Sequence, residues 1–158
     1  VAPETHQFLT FYLGAEEYGL PLIQAREILG MVPITELPKA AAHVLGLINL
    51  RGELLPVFDL RLLFQLQSQP APGVQDCILV AETRGEPFGL RVDGVHQVLT
   101  LPEDRVDPPS DALRARSAAI SGLGKAGCRL IILLDPQALF SDEELPGTMG
   151  HAPEKTRG

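Results

Sequence analysis

The sequence predicts an all-β protein made of two five-stranded β-barrel subdomains packed together, with short helical turns. Three observations carry that prediction. Glycine and proline, 15 and 14 in 158 residues, punctuate the chain at short intervals. The runs between them are short, alternating or β-branched, and no long amphipathic helix appears. The second half also repeats the first. Phe88-Gly89-Leu90 and Gln97-Val98-Leu99 match Tyr18-Gly19-Leu20 and Glu27-Ile28-Leu29 at a displacement of 70 positions. Gly122-Leu123, Asp135 and Leu139-Phe140 match Gly46-Leu47, Asp59 and Leu63-Phe64 at a displacement of 76. One such pair is a coincidence; five in the same order mark a duplicated unit, with one inserted loop changing the offset. A small barrel is the economical form of that unit because it leaves little free sheet edge.

The elements follow in order. Residues 8–13 put Phe8, Thr10 and Tyr12 on one face and Leu9, Phe11 and Leu13 on the other, and residues 14–17 turn the chain back into Tyr18-Gly19-Leu20, a hairpin. A third strand is expected over 26–32, then a connection over 33–38 and a short helical turn over 39–43. Residues 44–50 and 54–58 form a second hairpin about Arg51-Gly52-Glu53, where Gly52 supplies the positive φ of a tight turn. Asp59 caps one helical turn over 60–64. The polar, proline-rich stretch from Gln65 to Gln75 reads as a linker. The expected division is an arm at 1–7, a first barrel at 8–66, a linker at 67–75, a second barrel at 76–140 and a flexible acidic, then Pro/Gly-rich, tail at 141–158. Each barrel of roughly 60 residues is marginal alone, so the two should share apolar surface and leave a groove between them.

A net charge of -7 argues against nucleic acid and anionic lipid as partners. The longest aliphatic run, Leu130 to Leu134, is far short of a membrane span, and no basic segment followed by an apolar stretch opens the sequence, so a cytoplasmic protein without direct membrane insertion is expected. Cys77 and Cys128 stand in or beside apolar runs without a CxxC spacing and read as buried free thiols.

Catalytic chemistry finds no support. His6, His43, His96 and His151 show no metal-ligand spacing, with His6 and His151 in flexible ends and His43 and His96 at or near the surface, so neither a metal nor any other cofactor is expected. No GxSxG elbow or GxxxxGK[ST] loop occurs, and Gly122-Leu123-Gly124-Lys125-Ala126-Gly127 has the flanks of a hairpin turn. The Glu16-Glu17 and Glu103-Asp104 pairs fall in turns, where solvated charge is the ordinary state. Surface recognition remains.

The stretch Val44-Leu45-Gly46-Leu47-Ile48-Asn49-Leu50-Arg51-Gly52-Glu53-Leu54-Leu55-Pro56-Val57-Phe58-Asp59-Leu60-Arg61 closely resembles the signature of the CheW family of chemotaxis coupling proteins. Tyr18-Gly19-Leu20-Pro21-Leu22 leading to Arg26-Glu27-Ile28 supports the resemblance, as does Ile120-Ser121-Gly122-Leu123-Gly124 with Leu130 to Asp135 and Leu139-Phe140. It runs from about Phe8 to Phe140. It implies two intertwined SH3-like barrels and a non-catalytic adaptor. The implied partners are the regulatory domain of a CheA-type histidine kinase and the cytoplasmic tip of methyl-accepting chemoreceptors, the latter lying in an apolar groove between the barrels. Pilus-type chemosensory systems use the same domain, and a small-ligand barrel and a self-assembling structural protein are the rivals from other classes.

The resemblance carries functional weight to Glu27, Gly46 and Arg51. Arg51 is either an interface arginine or a solvated turn residue, and Glu27 either a docking carboxylate or half of a surface ion pair. Gly46 either admits a partner backbone or marks a bulge. Leu22, Ala25 and Ile28 either line the groove or pack in the core. Ala25 stands where many family members carry a larger aliphatic residue, which predicts a shallower groove.

Overall fold

The computed structural model describes residues 4–66 and 75–139. Eleven strands and two short helices occupy them: β1 (Thr5–Leu13), β2 (Glu16–Pro21), β3 (Ala25–Gly30), β4 (Val44–Leu50), β5 (Glu53–Asp59), α1 (Leu60–Leu63), β6 (Cys77–Thr83), β7 (Glu86–Val92), β8 (Gly94–Pro102), β9 (Val106–Asp107), α2 (Asp111–Arg116), β10 (Ile120–Ala126) and β11 (Arg129–Leu134). No helix among the described residues is long and apolar enough to cross a membrane.

The strands form two sheets, ordered β8-β1-β2-β11-β10-β9 and β3-β6-β7-β5-β4. In the first sheet β9 pairs with β10; in the second a bridge between Thr35 and Leu47 brings the chain after β3 back onto β4 in the same way. The division into one barrel from 8–66 and another from 76–140 is therefore corrected: each sheet draws strands from both halves. The hairpin β1-β2 joins the second half's β8 and β11, while β6-β7 joins the first half's β3 and β5. Two of these four junctions are parallel, with Gly19 opposite Leu133 and Gly89 opposite Val57, and the other two, β1–β8 and β3–β6, are antiparallel. Sequence neighbours fold locally into hairpins, but a hairpin completes its barrel only with the other copy's strands.

Register confirms the duplication at its irregularities. β3 slips against β6 around Arg26, and β8 slips against β1 around His96, 70 positions later. β4 slips against β5 around Leu45, and β10 against β11 around Ser121, 76 positions later. A bulge leaves one residue unpaired and bends its strand, so matching bulges mean matching curvature. Both aspartates that follow also act alike: Asp59 accepts from the Arg61 amide at 2.9 Å and Asp135 from the Gln137 amide at 3.0 Å.

The apolar residues separate into three clusters. Ile48, Leu55, Val57, Ile78 and Val80 fill one barrel, and Phe8, Leu101, Ile131 and Leu133 fill the other. The largest lies between the barrels, with Leu9, Phe11, Leu13 and Tyr18 from the first sheet against Phe58, Leu79, Phe88 and Leu90 from the second. The two faces read from residues 8–13 are thus both buried except at Tyr12, which is half-buried, one face in a barrel and one against its neighbour.

Other expectations need correction. The arm at 1–7 loses Thr5, His6 and Gln7 to β1, where they pair with Pro102, Leu101 and Thr100 of β8. Residues 39–43 are turns without a helix, Lys39 taking φ 64. α2, capped by Ser110, was not anticipated. Cys77 is only half-buried and Cys128 is exposed, because Gly127 and Cys128 form the β10–β11 turn; both are free thiols. Residues 67–74, the tail 141–158 and His151 lie outside the described residues.

Candidate partner-docking site

The β4–β5 hairpin is closed by Arg51 and Gly52 at φ 52 and 84, both in the left-handed region that a two-residue turn of this hand requires. The Gly52 amide donates to Asn49 Oδ1 at 2.9 Å. This turn aims the Arg51 side chain, 65% exposed, back across the end of the sheet onto Glu27 of β3. Arg51 Nη1 donates to Glu27 Oε1 at 3.4 Å and Nη2 to Oε2, a fork-on-fork pair. Hydrogen bonding to Glu27, then its charge, raises the guanidinium above its ordinary range. Two residues singled out separately in the sequence are thus brought into contact, with part of the fork still facing solvent.

Gly46 sits against the chain's own backbone. It is buried at the β4 bulge with φ 145, and a Cβ there would stand 2.1 Å from the Thr35 carbonyl oxygen. The backbone it admits is the chain's own. Leu22 and Ala25 are half-buried against the core between the barrels, whereas Ile28 is 50% exposed. The exposed apolar residue missing from the sequence reading is Ile23, 93% exposed between β2 and β3; an apolar side chain in a three-residue 3-10 turn carries no periodic signal.

Duplication predicts a second set of exposed apolar positions, and it is there: Ile28 and Leu54 correspond to Val98 and Leu130, all exposed. Around Leu130 the charges differ. Glu17, only 8% exposed, accepts from Arg129 Nε and Nη2 at 3.1 and 3.0 Å and is 2.8 Å from His96 Nδ1. Burial opposes its charge, but the bonds from Arg129, His96 and Thr10 outweigh burial and hold the carboxyl below its ordinary range. Arg116 donates to Glu16 Oε1 at 3.0 Å and to the Tyr18 hydroxyl at 2.7 Å; burial, then Glu16, pushes the Tyr18 phenol up. The expectation that Glu16-Glu17 is a solvated turn pair is corrected, because β2 begins at Glu16. A half-open cavity of about 600 Å³ lies between these two clusters, floored by Leu123, Leu130 and Ile132. Its arginines already have carboxylate partners, and a carboxylate shared by arginine and histidine neutralises charge instead of activating a nucleophile. Among the described residues, Glu4, His6 and Glu103 could present ligand atoms within 4.8 Å of one another, all three exposed.

This geometry has known relatives. The CheW-like domain family model matches residues 7–144. The chain belongs to the CheW-like domain family. It is 36% identical over 143 residues to a probable chemotaxis protein CheW of Rhizobium etli, covering 87% of this chain and 89% of that protein. It is 34% identical over 140 residues to the chemotaxis protein CheW of Klebsiella aerogenes, covering 88% and 84%. The crystal structure of the scaffolding protein TtCheW from Thermoanaerobacter tengcongensis superposes with a TM-score of 0.81 at 29% identity, over 90% of this chain and 99% of that one. The CheW family is one of scaffolds and adaptors, and this chain is a chemotaxis adaptor with the CheW double barrel.

Proposed function

We propose that this CheW-like chain is a non-catalytic adaptor that holds a CheA-type histidine kinase, through its regulatory domain, against the cytoplasmic tip of methyl-accepting chemoreceptors. Its place is the cytoplasm, at receptor arrays on the inner membrane. The observation that carries this reading is the Arg51 fork, presented at a hairpin tip on a rigid sheet and pre-oriented by Glu27 while largely exposed. A pre-organised arginine loses little freedom when a second acceptor arrives, which is why such residues anchor interfaces. Ile23 and Ile28 supply apolar area for a receptor helix in the groove manner. A change in receptor geometry then reaches the kinase by position alone.

The small-ligand alternative is disfavoured, since both barrel interiors are filled by aliphatic side chains and the open cavity is rimmed by arginines already paired. The test is reconstitution. The purified chain, a kinase regulatory domain and a receptor-tip fragment should form a ternary complex in analytical ultracentrifugation, with binary affinities of about micromolar order. Failure of the chain to bind either component would overturn the proposal.

A further inference from the structure

We propose that Asp93 is a positioning residue that clasps the two barrels along one seam and leaves the opposite seam to open, giving the pair of barrels a hinge. Among the described residues the chain passes from one sheet to the other at two places, between β2 and β3 and between β7 and β8. Ile23 and Asp93 occupy these crossings, 70 positions apart, so the duplication makes them equivalent. Their surroundings are opposite.

At the second crossing Asp93 is 1% exposed. Its amide donates to the Tyr12 carbonyl at 2.9 Å, and its Oδ2 accepts from the Gly14 amide at 2.5 Å. The first bond extends the β1–β8 ladder and the second holds the β1–β2 turn, both in the first sheet. The same Oδ2 accepts from Arg61 Nη1 at 2.9 Å, and Arg61 belongs to α1, which continues β5 of the second sheet. Arg61 is anchored in turn by its amide on Asp59, whose Oδ2 accepts from Arg91 at 3.2 Å; Arg91 also pairs with Asp76. One carboxylate therefore ties both sheets together at the head of an ionic chain. Its other oxygen, Oδ1, is buried without a partner. The desolvated charge is compensated only while Gly14 and Arg61 stay in place, so the seam has a strong preference for one geometry.

At the first crossing the equivalent position is Ile23, 93% exposed, and the equivalents of Gly14 and Arg61 are Arg84 and Gln137. Isoleucine offers no acceptor, so the same clasp cannot form there. The apolar Ile23 and its half-buried neighbours Leu22 and Ala25 border this seam instead. Two packed bodies bonded along one side pivot about that side. The clasp is independent of any partner; that the pivot serves receptor binding rests on the adaptor reading above.

The experiment uses the full chain with Cys77 and Cys128 replaced by alanine and nitroxide labels at Leu54 and Leu130, one exposed site on each sheet. Asp93→Asn keeps the shape and loses the ion pair. It should broaden the label-to-label distance distribution and speed amide exchange at Gly14, Ala15 and α1 about tenfold or more, leaving the central strands β2 and β7 protected as in the parent. Arg61→Gln should reproduce this at smaller amplitude, and it serves as the test if Asp93→Asn does not fold. An unchanged distance distribution, or exchange accelerated equally in every strand, overturns the proposal, the latter because it marks plain loss of stability. These readings need no partner, so they stand apart from failure of the adaptor reading. With a receptor-tip fragment, Asp93→Asn should weaken receptor binding about tenfold while kinase-domain affinity stays within about twofold.

Discussion

Arg51 combines two properties that seldom coincide in a stabilising residue: a left-handed backbone and an exposed charged fork. Exposed ion pairs contribute little to folding, so the Arg51–Glu27 pair has its main consequence in orientation. Arg51→Ala should therefore leave the urea midpoint close to the parent while weakening at least one partner about tenfold or more, the range of an interface anchor. Titration calorimetry against the kinase domain and the receptor fragment separates the outcomes, and unaltered binding to both would return Arg51 to the status of a turn residue. Glu17 is the converse case, a nearly buried carboxylate serving the fold. Its pKa is lowered in the native state, where Arg129 and His96 face it. Near and below the ordinary value of 4.5 the unfolded chain takes up a proton that the native state refuses, so stability rises with pH in that window. The contribution is complete above that value and disappears as pH falls through the native one. Urea titrations of Glu17→Gln should show a deficit at pH 7 that narrows towards pH 3; a deficit constant with pH would remove the ion pair as its cause.

The second hairpin displays at the level of the element how far local rules reach. Gly46 and Gly52 both have positive φ, yet a Cβ at Gly52 meets nothing within 4 Å, whereas at Gly46 it would collide with the Thr35 backbone. Gly52→Ala should cost about 1 kcal/mol, the backbone penalty alone. Gly46→Ala should cost about 3 kcal/mol or more, because the bridge that closes the barrel must also shift. Chemical denaturation measures both, and equal costs would mean that the close approach to Thr35 is unimportant. The sequence could locate the Gly52 turn because its cause lies within three residues. It could only leave Gly46 undecided, because the cause is a backbone segment brought in from outside the hairpin. The same distinction runs through the molecule. Asp59 as a cap and the alternation of residues 8–13 were legible from local spacing. Glu17 with Arg129, 112 positions apart, and Asp93 with Gly14 have no local signature. Cys128 misled because an apolar run on either side hides a two-residue turn.

At the scale of the whole molecule, duplication was legible in the residues themselves but exchange entered only through the resemblance to intertwined barrels, because a repeat announces how many units exist and not which strands they share. The consequence is a folding unit that neither half can supply. The first half alone owns β3, β4 and β5 but lacks β6 and β7, which stand between β3 and β5 in their sheet. Its hairpin β1-β2 likewise loses both neighbours, β8 and β11. Each half would expose its part of the large shared cluster, to which the first half gives Phe11, Leu13, Tyr18 and Phe58 and the second half Phe88 and Leu90. Cutting the chain within residues 67–74 leaves every described strand intact, so it separates the effect of connectivity from that of lost structure. The fragments 1–70 and 71–158, purified separately, should show poorly dispersed amide spectra and no cooperative thermal transition. Mixed in equal amounts they should recover a dispersed spectrum and one transition, at a midpoint that rises with concentration because two chains must now meet. A fragment that folds cooperatively by itself would refute the reciprocal exchange. It would mean that β3 can pair with β5 or β4 in the absence of the other copy, so that the barrels are independent units after all.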